Sequence, residues 1–484
     1  MSVGPAADAI AERTGALAAQ LSGECASRVT DIAERASGPL VVAVVGRLKT
    51  GKSTLVNAIL TRDVAPVDGG ECTRLVTRFV RGDKERVMVT YRDGTMKAMP
   101  FQHGKVPSTL PDLDDVTRVE VTLVTSRLDD LVLVDTPGLA SLTDDVSVRT
   151  ENLLGTILDD DSQRACADAD AVLYVITSVA RNDDIAALTT FLNAAGDHRH
   201  LSSVLVLNRA DELGGGVEAA DEHTANLAER HRDTVAAAVP VVAVAASGIR
   251  CGRVGSAELA TLADIARLDD DEREMVLLDV AAFCEFPSAV TAPARAALHT
   301  TIGFHAARLA VEHLRSNPKD RIGALDLIER WSRIANVDTQ LARLRRRADA
   351  IKAQHAIAAL NRLAWDPHTT SGDAARLKTA IADIESHPAL DVIEQLAVLE
   401  RAATDPGLLE LDELDELDVL FSSEPVHVRL GISRDADVSA PALAGARRWQ
   451  AITASDTPPQ RRHAAAVARG AYLRIWEHAQ ITVT

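Results

Sequence analysis

Residues 40–45, Leu-Val-Val-Ala-Val-Val, run straight into Gly46-Arg47-Leu48-Lys49-Thr50-Gly51-Lys52-Ser53, and Thr54-Leu55-Val56-Asn57-Ala58-Ile59-Leu60 follows with helical character. An apolar, largely β-branched run of this length suits a strand buried on both faces, and such strands belong to mostly parallel sheets covered by helices. A G-x-x-x-x-G-K-S spacing between strand and helix turns successive backbone N–H groups and the positive helix end toward one point, where a polyphosphate can sit. Gly46 through Thr54 form that cradle, with Lys52 placed for the outer phosphates and Ser53 for magnesium.

The same alternation of short apolar runs with polar or helical stretches continues to about residue 250. Strands are expected at 40–45, 76–81, 86–92, 117–124, 131–134, 171–177, 203–207 and 240–245. Beyond about residue 268 helical spacing takes over, with helices expected at 269–285, 290–315, 320–334, 338–364, 373–386, 389–404 and 458–480, and a loop at 422–440. The expected organisation is an N-terminal helix over 1–37, an α/β domain of P-loop NTPase type over 38–267, and an elongated α-helical bundle over 268–484. Val337, Leu341, Leu344, Ala348 and Ile351 repeat at steps of four and three, the seam of one long helix. Ile10, Leu17, Leu21, Cys25, Val29 and Ile32 form a stripe before any strand begins. Its expected partner is the C-terminal bundle, through the helix carrying Tyr472, Ile475 and Trp476.

A net charge of −18 argues against bulk attraction to nucleic acid or to anionic lipid. The five cysteines are odd in number, widely spaced and without a C-x-x-C pair, which points to reduced thiols and a cytoplasmic setting. The N-terminal residues include charges within the first dozen positions, so no signal peptide is expected. No run of about eighteen uncharged apolar residues occurs, so membrane contact is expected to be peripheral. The fourteen histidines form no clustered ligand set.

Three further segments fall at strand ends. Asp135-Thr136-Pro137-Gly138 follows Leu131-Val132-Leu133-Val134, which places Asp135 to hold a magnesium-bound water and the Gly138 N–H to reach a γ-phosphate. Asn208-Arg209-Ala210-Asp211 follows the strand over 203–207. A carboxylate at Asp211 accepts from the N1–H and exocyclic amine of guanine, which adenine lacks, so the pattern selects GTP. Arg209 has an aliphatic stem that can lie over the purine face. Ser247, after the strand expected at 240–245, is a weak match to a loop touching the base oxygen. Thr73, in Cys72-Thr73-Arg74, is the candidate for sensing the γ-phosphate and binding magnesium, with Thr77 and Thr61 as rivals.

These motifs, their order, and the 62 residues from Thr73 to Asp135 resemble the enlarged GTPase domain of the dynamin superfamily. Within it the similarity is to the bacterial dynamin-like proteins of the actinobacterial isoniazid-inducible group, the shorter IniC type in particular. Gly46 to Ala58, Ala65-Pro66, Thr73 to Thr77, Asp135 to Gly138 and Arg209-Ala210-Asp211-Glu212 carry it.

The resemblance implies a GTPase whose cycle drives a helical neck and stalk to remodel or maintain a membrane. It also implies self-association through the GTPase domain, peripheral contact at the inner face of the cell membrane, and a possible sister dynamin-like partner. A slow switch or scaffold acting through a protein partner is the rival reading, and nucleic acid is not an expected partner. Leu139 stands where small GTPases carry a water-positioning glutamine, and Leu48 and Lys49 stand where animal dynamins carry a catalytic glutamine and serine. Lys49, or Arg47 beside it, is the candidate for the positive charge that other dynamins recruit as a monovalent cation. The basic cluster Arg343, Arg345, Arg346, Arg347 and Lys352 is expected on a solvated helix face, with lipid headgroups as the alternative. Leu411, Leu414, Leu417 and Leu420 among acidic neighbours are expected to form an amphipathic helix with an exposed acidic face.

Overall fold

The computed structural model describes residues 4–66, 75–101, 104–107, 115–137, 168–177, 188, 200–214, 216–454 and 457–483. Nine strands lie in one sheet among these residues: β1 (Leu40–Gly46), β2 (Thr77–Arg81), β3 (Arg86–Tyr91), β4 (Met96–Met99), β5 (Val116–Leu123), β6 (Leu131–Asp135), β7 (Ala171–Thr177), β8 (Ser203–Asn208) and β9 (Ala237–Val241). Their order is β4-β3-β5-β2-β6-β1-β7-β8-β9. Strands β6, β1, β7, β8 and β9 are mutually parallel, β2 joins antiparallel to β6, and β3 and β4 complete an antiparallel edge. Because the chain leaves β1 toward one side of the sheet and later crosses to the other, the carboxyl end of β1 is a topological switch point, where open α/β sheets place their ligands.

Burial on both faces follows the two-residue period of a strand. Leu40, Val42 and Val44 point into one core with Leu55 and Ile59 of α3 (Lys52–Leu60). Val41, Ala43 and Val45 point into the other. That second core takes in α4 (Gly216–Arg230), α5 (Ala243–Arg250), α6 (Ser256–Ala266), α7 (Asp270–Val276), α8 (Val280–Glu285), α9 (Ala292–Ile302), α10 (Phe304–Ser316) and α11 (Arg321–Trp331). Packing on the sheet therefore continues past residue 267 as far as Ile328.

The remaining helices are α12 (Ile334–Arg346), α13 (Ala348–Ala364), α14 (Ser371–Glu385), α15 (Asp391–Thr404), α16 (Leu411–Leu420), α17 (Val426–Arg429), α18 (Ser439–Thr453) and α19 (Pro459–Val483). Several expected long helices are broken. Asp279 caps α8 by accepting from the Ala282 N–H at 2.8 Å, Gly303 at φ 82° separates α9 from α10, and Arg347 separates α12 from α13. The expected 422–440 loop contains α17.

The N-terminal stripe is likewise two helices, α1 (Pro5–Ala18) and α2 (Gly23–Ser37), folded back at Gly23 with φ 52°. Their partner is not α19. Ile10, Leu17 and Val29 pack on Ile357, Leu360, Leu377 and Ile381 of α13 and α14, and Asp349 caps α1 by accepting from the Ala6 and Ala7 N–H groups at 3.2 and 2.8 Å. Helix α19 packs on α18 and α15 instead.

The two charge clusters are spent internally in part, while Glu410, Asp412 and Asp415 stay exposed as expected of an acidic helix face. Arg346 and Arg347 pair with Asp418, Arg345 donates to the Arg127 carbonyl, and Lys352 lies 3.0 Å from Asp170. Glu413 and Glu416 on α16 receive Arg461, Arg448, the Trp449 Nε1–H and the Tyr472 hydroxyl. Three-residue steps drift around a helix by about 60° each, so nine residues turn half a circle. Leu420 and Leu417 are accordingly buried, while Leu411 is 83% exposed.

Candidate nucleotide site

The register of the parallel strands sets the site. Val44 of β1 stands beside Asp135 of β6, Gly46 beside Val175 of β7, and Asn208 of β8 beside Thr177 and Val241, so their carboxyl ends finish together. The loop over 47–51 then rises above that edge. A Cβ at Gly46 (φ 154°) would run into the Val175 carbonyl, and one at Gly51 (φ 87°) into Asn208 Nδ2. Only glycine fits either place.

Lys52 is buried, and its Nζ donates to the carbonyls of Gly46 at 3.1 Å and Arg47 at 2.9 Å. The ammonium thus lies folded across the mouth of its own loop. Burial lowers its pKa, and nearby Asp135 partly offsets the effect. Thr50 Oγ1 also donates to the Arg47 carbonyl at 2.9 Å, which tightens the turn. Arg47 is half-buried, Lys49 is exposed with φ 64°, Leu48 is 62% exposed, and Ser53 and Thr54 are half-buried in the first turn of α3.

Ser53 Oγ donates to Asp135 Oδ2 at 2.7 Å. Asp135 Oδ1 is buried and has no hydrogen-bond partner. Burial pushes the Asp135 carboxyl up to about 6, against the Ser53 hydrogen bond and the Lys52 charge that pull it down. A hydroxyl beside a carboxylate with one orphaned oxygen is a hard-oxygen donor set, and it fits magnesium. Thr136 fixes the carboxylate's backbone by donating its hydroxyl to the Val44 carbonyl at 2.9 Å.

Asn208 ties the phosphate loop to the next strand ends. Its Nδ2 donates to the Thr50 carbonyl at 2.8 Å, and its Oδ1 accepts from the Ala243 N–H at 3.0 Å and the Arg209 N–H at 2.8 Å. Arg209, at φ 55°, donates weakly to the Lys49 carbonyl at 3.4 Å. Asp211 lies in the one-turn helix Ala210–Glu212 just beyond, with its pKa raised by burial and opposed mainly by His305. Asp211 therefore lies just past the carboxyl end of β8.

Two sequence expectations shift. The last strand ends at Val241, Val242 alone separates it from α5, and Ser247 sits inside α5, fully buried, accepting from Arg253 at 3.1 Å. That position removes Ser247 from the base-contacting loop. Thr77 is buried in β2 as the backbone partner of Asp135, and Thr61 caps α3 in the left-handed region. Thr73 and Gly138 lie outside the described residues.

Asn57 was not singled out from sequence. Fully buried in α3, it accepts from the Val64 and Ala65 N–H groups at 3.0 and 2.8 Å and donates to the Ala65 carbonyl at 2.9 Å, anchoring the segment that leads toward residue 67. A polar residue in an otherwise apolar helix face was the available signal.

Comparison with known proteins agrees with this geometry. Residues 42–210 match the profile of the Dynamin family. The chain is 30% identical over 457 residues to the Isoniazid-induced protein IniC of Mycobacterium tuberculosis, covering 90% of this chain and 89% of that protein. It is 28% identical over 138 residues, 25% of this chain and 19% of the relative, to a bacterial dynamin-like protein of Nostoc punctiforme. A solved structure of an oligomerised bacterial dynamin pair aligns with 98% of this chain and 89% of its own at 11% identity, with a TM-score of 0.35, too low to carry an argument. The similarity to IniC spans nine-tenths of this chain, and the chain belongs to the dynamin family.

Proposed function

We propose that this chain hydrolyses GTP with magnesium and couples the cycle, through its helices and through contacts between GTPase domains, to remodelling or maintaining a membrane. The observation that carries the hydrolytic reading is the Ser53–Asp135 pair with its orphaned Oδ1, set beside Lys52 at the carboxyl end of β1. The loop N–H groups and Lys52 bind the phosphates and neutralise charge that develops on the transferring group. Magnesium, when bound, would be held by Ser53 and Asp135, with Thr73 as a further ligand, and supplies charge neutralisation at the outer phosphates. Asp211 selects guanine, and the Asn208 clamp keeps base and phosphate loops in one frame.

Lys49, or alternatively Arg47, supplies the extra cation. Lys49 is exposed on the rim, where a second GTPase domain would meet it. The membrane reading rests on family membership and on the long helical part. Among the described residues no helix is long and apolar enough to cross a membrane, so the contact proposed is peripheral.

The test is phosphate release from GTP by the purified chain, with and without vesicles of cell-like lipid composition, combined with electron microscopy of the same mixtures. Turnover that rises with protein concentration or with vesicles, together with deformed vesicles, supports the reading. Slow turnover independent of both, with vesicles unchanged, favours a switch acting through a protein partner. No binding of GTP or GDP overturns the hydrolytic reading altogether.

A further inference from the structure

A cavity of about 500 Å³ opens where the start of α1, the α12–α13 junction, α15, α17 and α19 approach one another. None of its lining residues belongs to the sheet or to a loop of the nucleotide site. Its walls are largely apolar, with Val392, Phe421, Ala471 and Ile475 among them. The size and lining match those of pockets that take small molecules.

Three arginines line it, and they are not equivalent. Arg474 lies 2.6 Å from Asp391, and Arg346 lies 3.7 Å from Asp418, so each brings a counter-charge. Arg429 has none among the described residues: its Nε donates to the Leu420 carbonyl at 2.7 Å, and its charged neighbour is another cation, Arg474. Burial and Arg474 both disfavour its charge. A guanidinium nevertheless stays protonated in proteins, so an uncompensated cation faces an apolar space. Asp349 also lines the cavity, but both its oxygens are occupied by the first N–H groups of α1.

An occupant that suits both features needs an anionic head and an apolar body. A bare anion would leave the walls unmatched, and a neutral hydrocarbon would leave Arg429 unmatched. We propose that this cavity binds an amphipathic anion, a carboxylate or phosphate head on an alkyl chain, with the head at Arg429 and Arg474 and the chain along Val392, Phe421 and Ile475. The proposal stands independently of the GTPase reading.

Calorimetric titration of the full chain with dodecanoate, dodecyl phosphate, dodecanol and inorganic phosphate, each below its aggregation limit, tests it. The two amphipathic anions should bind about tenfold or more tighter than dodecanol, as expected for one charge-assisted contact, and inorganic phosphate should bind weakest. Arg429→Gln should bring the anions down to the level of the alcohol while GTP binding is unchanged. Val392→Phe, which fills the apolar wall without touching the charges, should weaken all three alkyl ligands, and it serves as the decisive variant if Arg429→Gln fails to fold. Competition by vesicles of an anionic phospholipid but not of a neutral one identifies the source as a bilayer lipid; binding of the free amphiphile without such competition identifies a soluble acyl anion. The proposal is overturned by no saturable binding of either anion up to on the order of 1 mM, by inorganic phosphate binding as well as dodecyl phosphate, or by unchanged affinities in folded Arg429→Gln or Val392→Phe.

Discussion

Lys352→Met tests the strongest energetic claim the structure makes outside the nucleotide site. The Lys352 ammonium lies 3.0 Å from Asp170 Oδ2, with side-chain exposures of only 2% and 9%. It also donates to the Arg35 carbonyl at 2.6 Å, and Asp170 accepts from the Val41 N–H at 2.9 Å. Burial raises the Asp170 carboxyl's pKa, but Lys352 and His355 outweigh it and hold the group well below the usual carboxylate range. Removing one partner of such a pair leaves a charge buried without compensation, at a cost of about 3–5 kcal/mol. Asp170→Asn keeps an oxygen for the Val41 N–H, so the double variant Asp170→Asn/Lys352→Met should recover about 2 kcal/mol or more of that loss.

The sign with pH follows from the depressed carboxyl. Its stabilising contribution is complete above the ordinary aspartate value near 4 and is lost as pH falls toward the folded value. The gap between wild type and Asp170→Asn should therefore shrink in acid. Urea unfolding followed by circular dichroism at neutral and acidic pH measures all four proteins. A single-variant cost below about 1 kcal/mol, the range of an exposed pair, or strictly additive losses in the double variant, would refute the reasoning.

Lys52→Ala should lower GTP turnover by on the order of 10²- to 10³-fold, because it removes the buried ammonium held across the loop's mouth; phosphate release measures it. Asp211→Asn should weaken GTP by at least about tenfold and admit xanthosine triphosphate, whose carbonyl replaces the exocyclic amine; unchanged selectivity in competition binding would remove Asp211 from the base. Asn208→Ala strips partners from the Thr50 carbonyl and the Ala243 N–H, each worth about 1–3 kcal/mol when buried, so melting temperature and GTP affinity should fall together.

The site was legible where its grammar is local. Gly46 to Ser53, Asp135 and Asn208 to Asp211 each sit within a few residues of the strand that positions them, so strand, loop and helix propensities all favour one arrangement. Ser247 was misplaced because Pro240 to Ala245 is apolar throughout and gives no end signal. What ends β9 early is the Ala243 N–H turning to Asn208, 35 positions upstream. The basic run near residue 345 failed for the same reason: its acceptors, Arg127, Asp170 and Asp418, lie far away in sequence and meet it only in the folded chain. Asn57 was overlooked because its bonds go to the loop that follows rather than to a ligand.

Strand β1 links the two regions on which these predictions bear. Its amino end carries Val41, bonded to Asp170, and its carboxyl end is Gly46, where the phosphate loop begins. Seven residues at about 3.3 Å each set the ends roughly 20 Å apart. The neighbour β7 begins directly after Asp170 and pairs with β1 from Ala171 to Val175. A paired, fully buried strand is stiff, so a shift at Gly46 moves the Val41–Asp170 end as a unit instead of being absorbed, and Lys352 is where that end meets α13. The double variant Asp170→Asn/Lys352→Met, chosen because it regains stability without the ionic link, separates holding from coupling. Its nucleotide affinity should match wild type, since no residue of the site is altered; GTP should change hydrogen-exchange protection along α13 in wild type and leave it unchanged in the double variant. Wild-type-like protection changes in that variant would show that the nucleotide reaches the helices by another route.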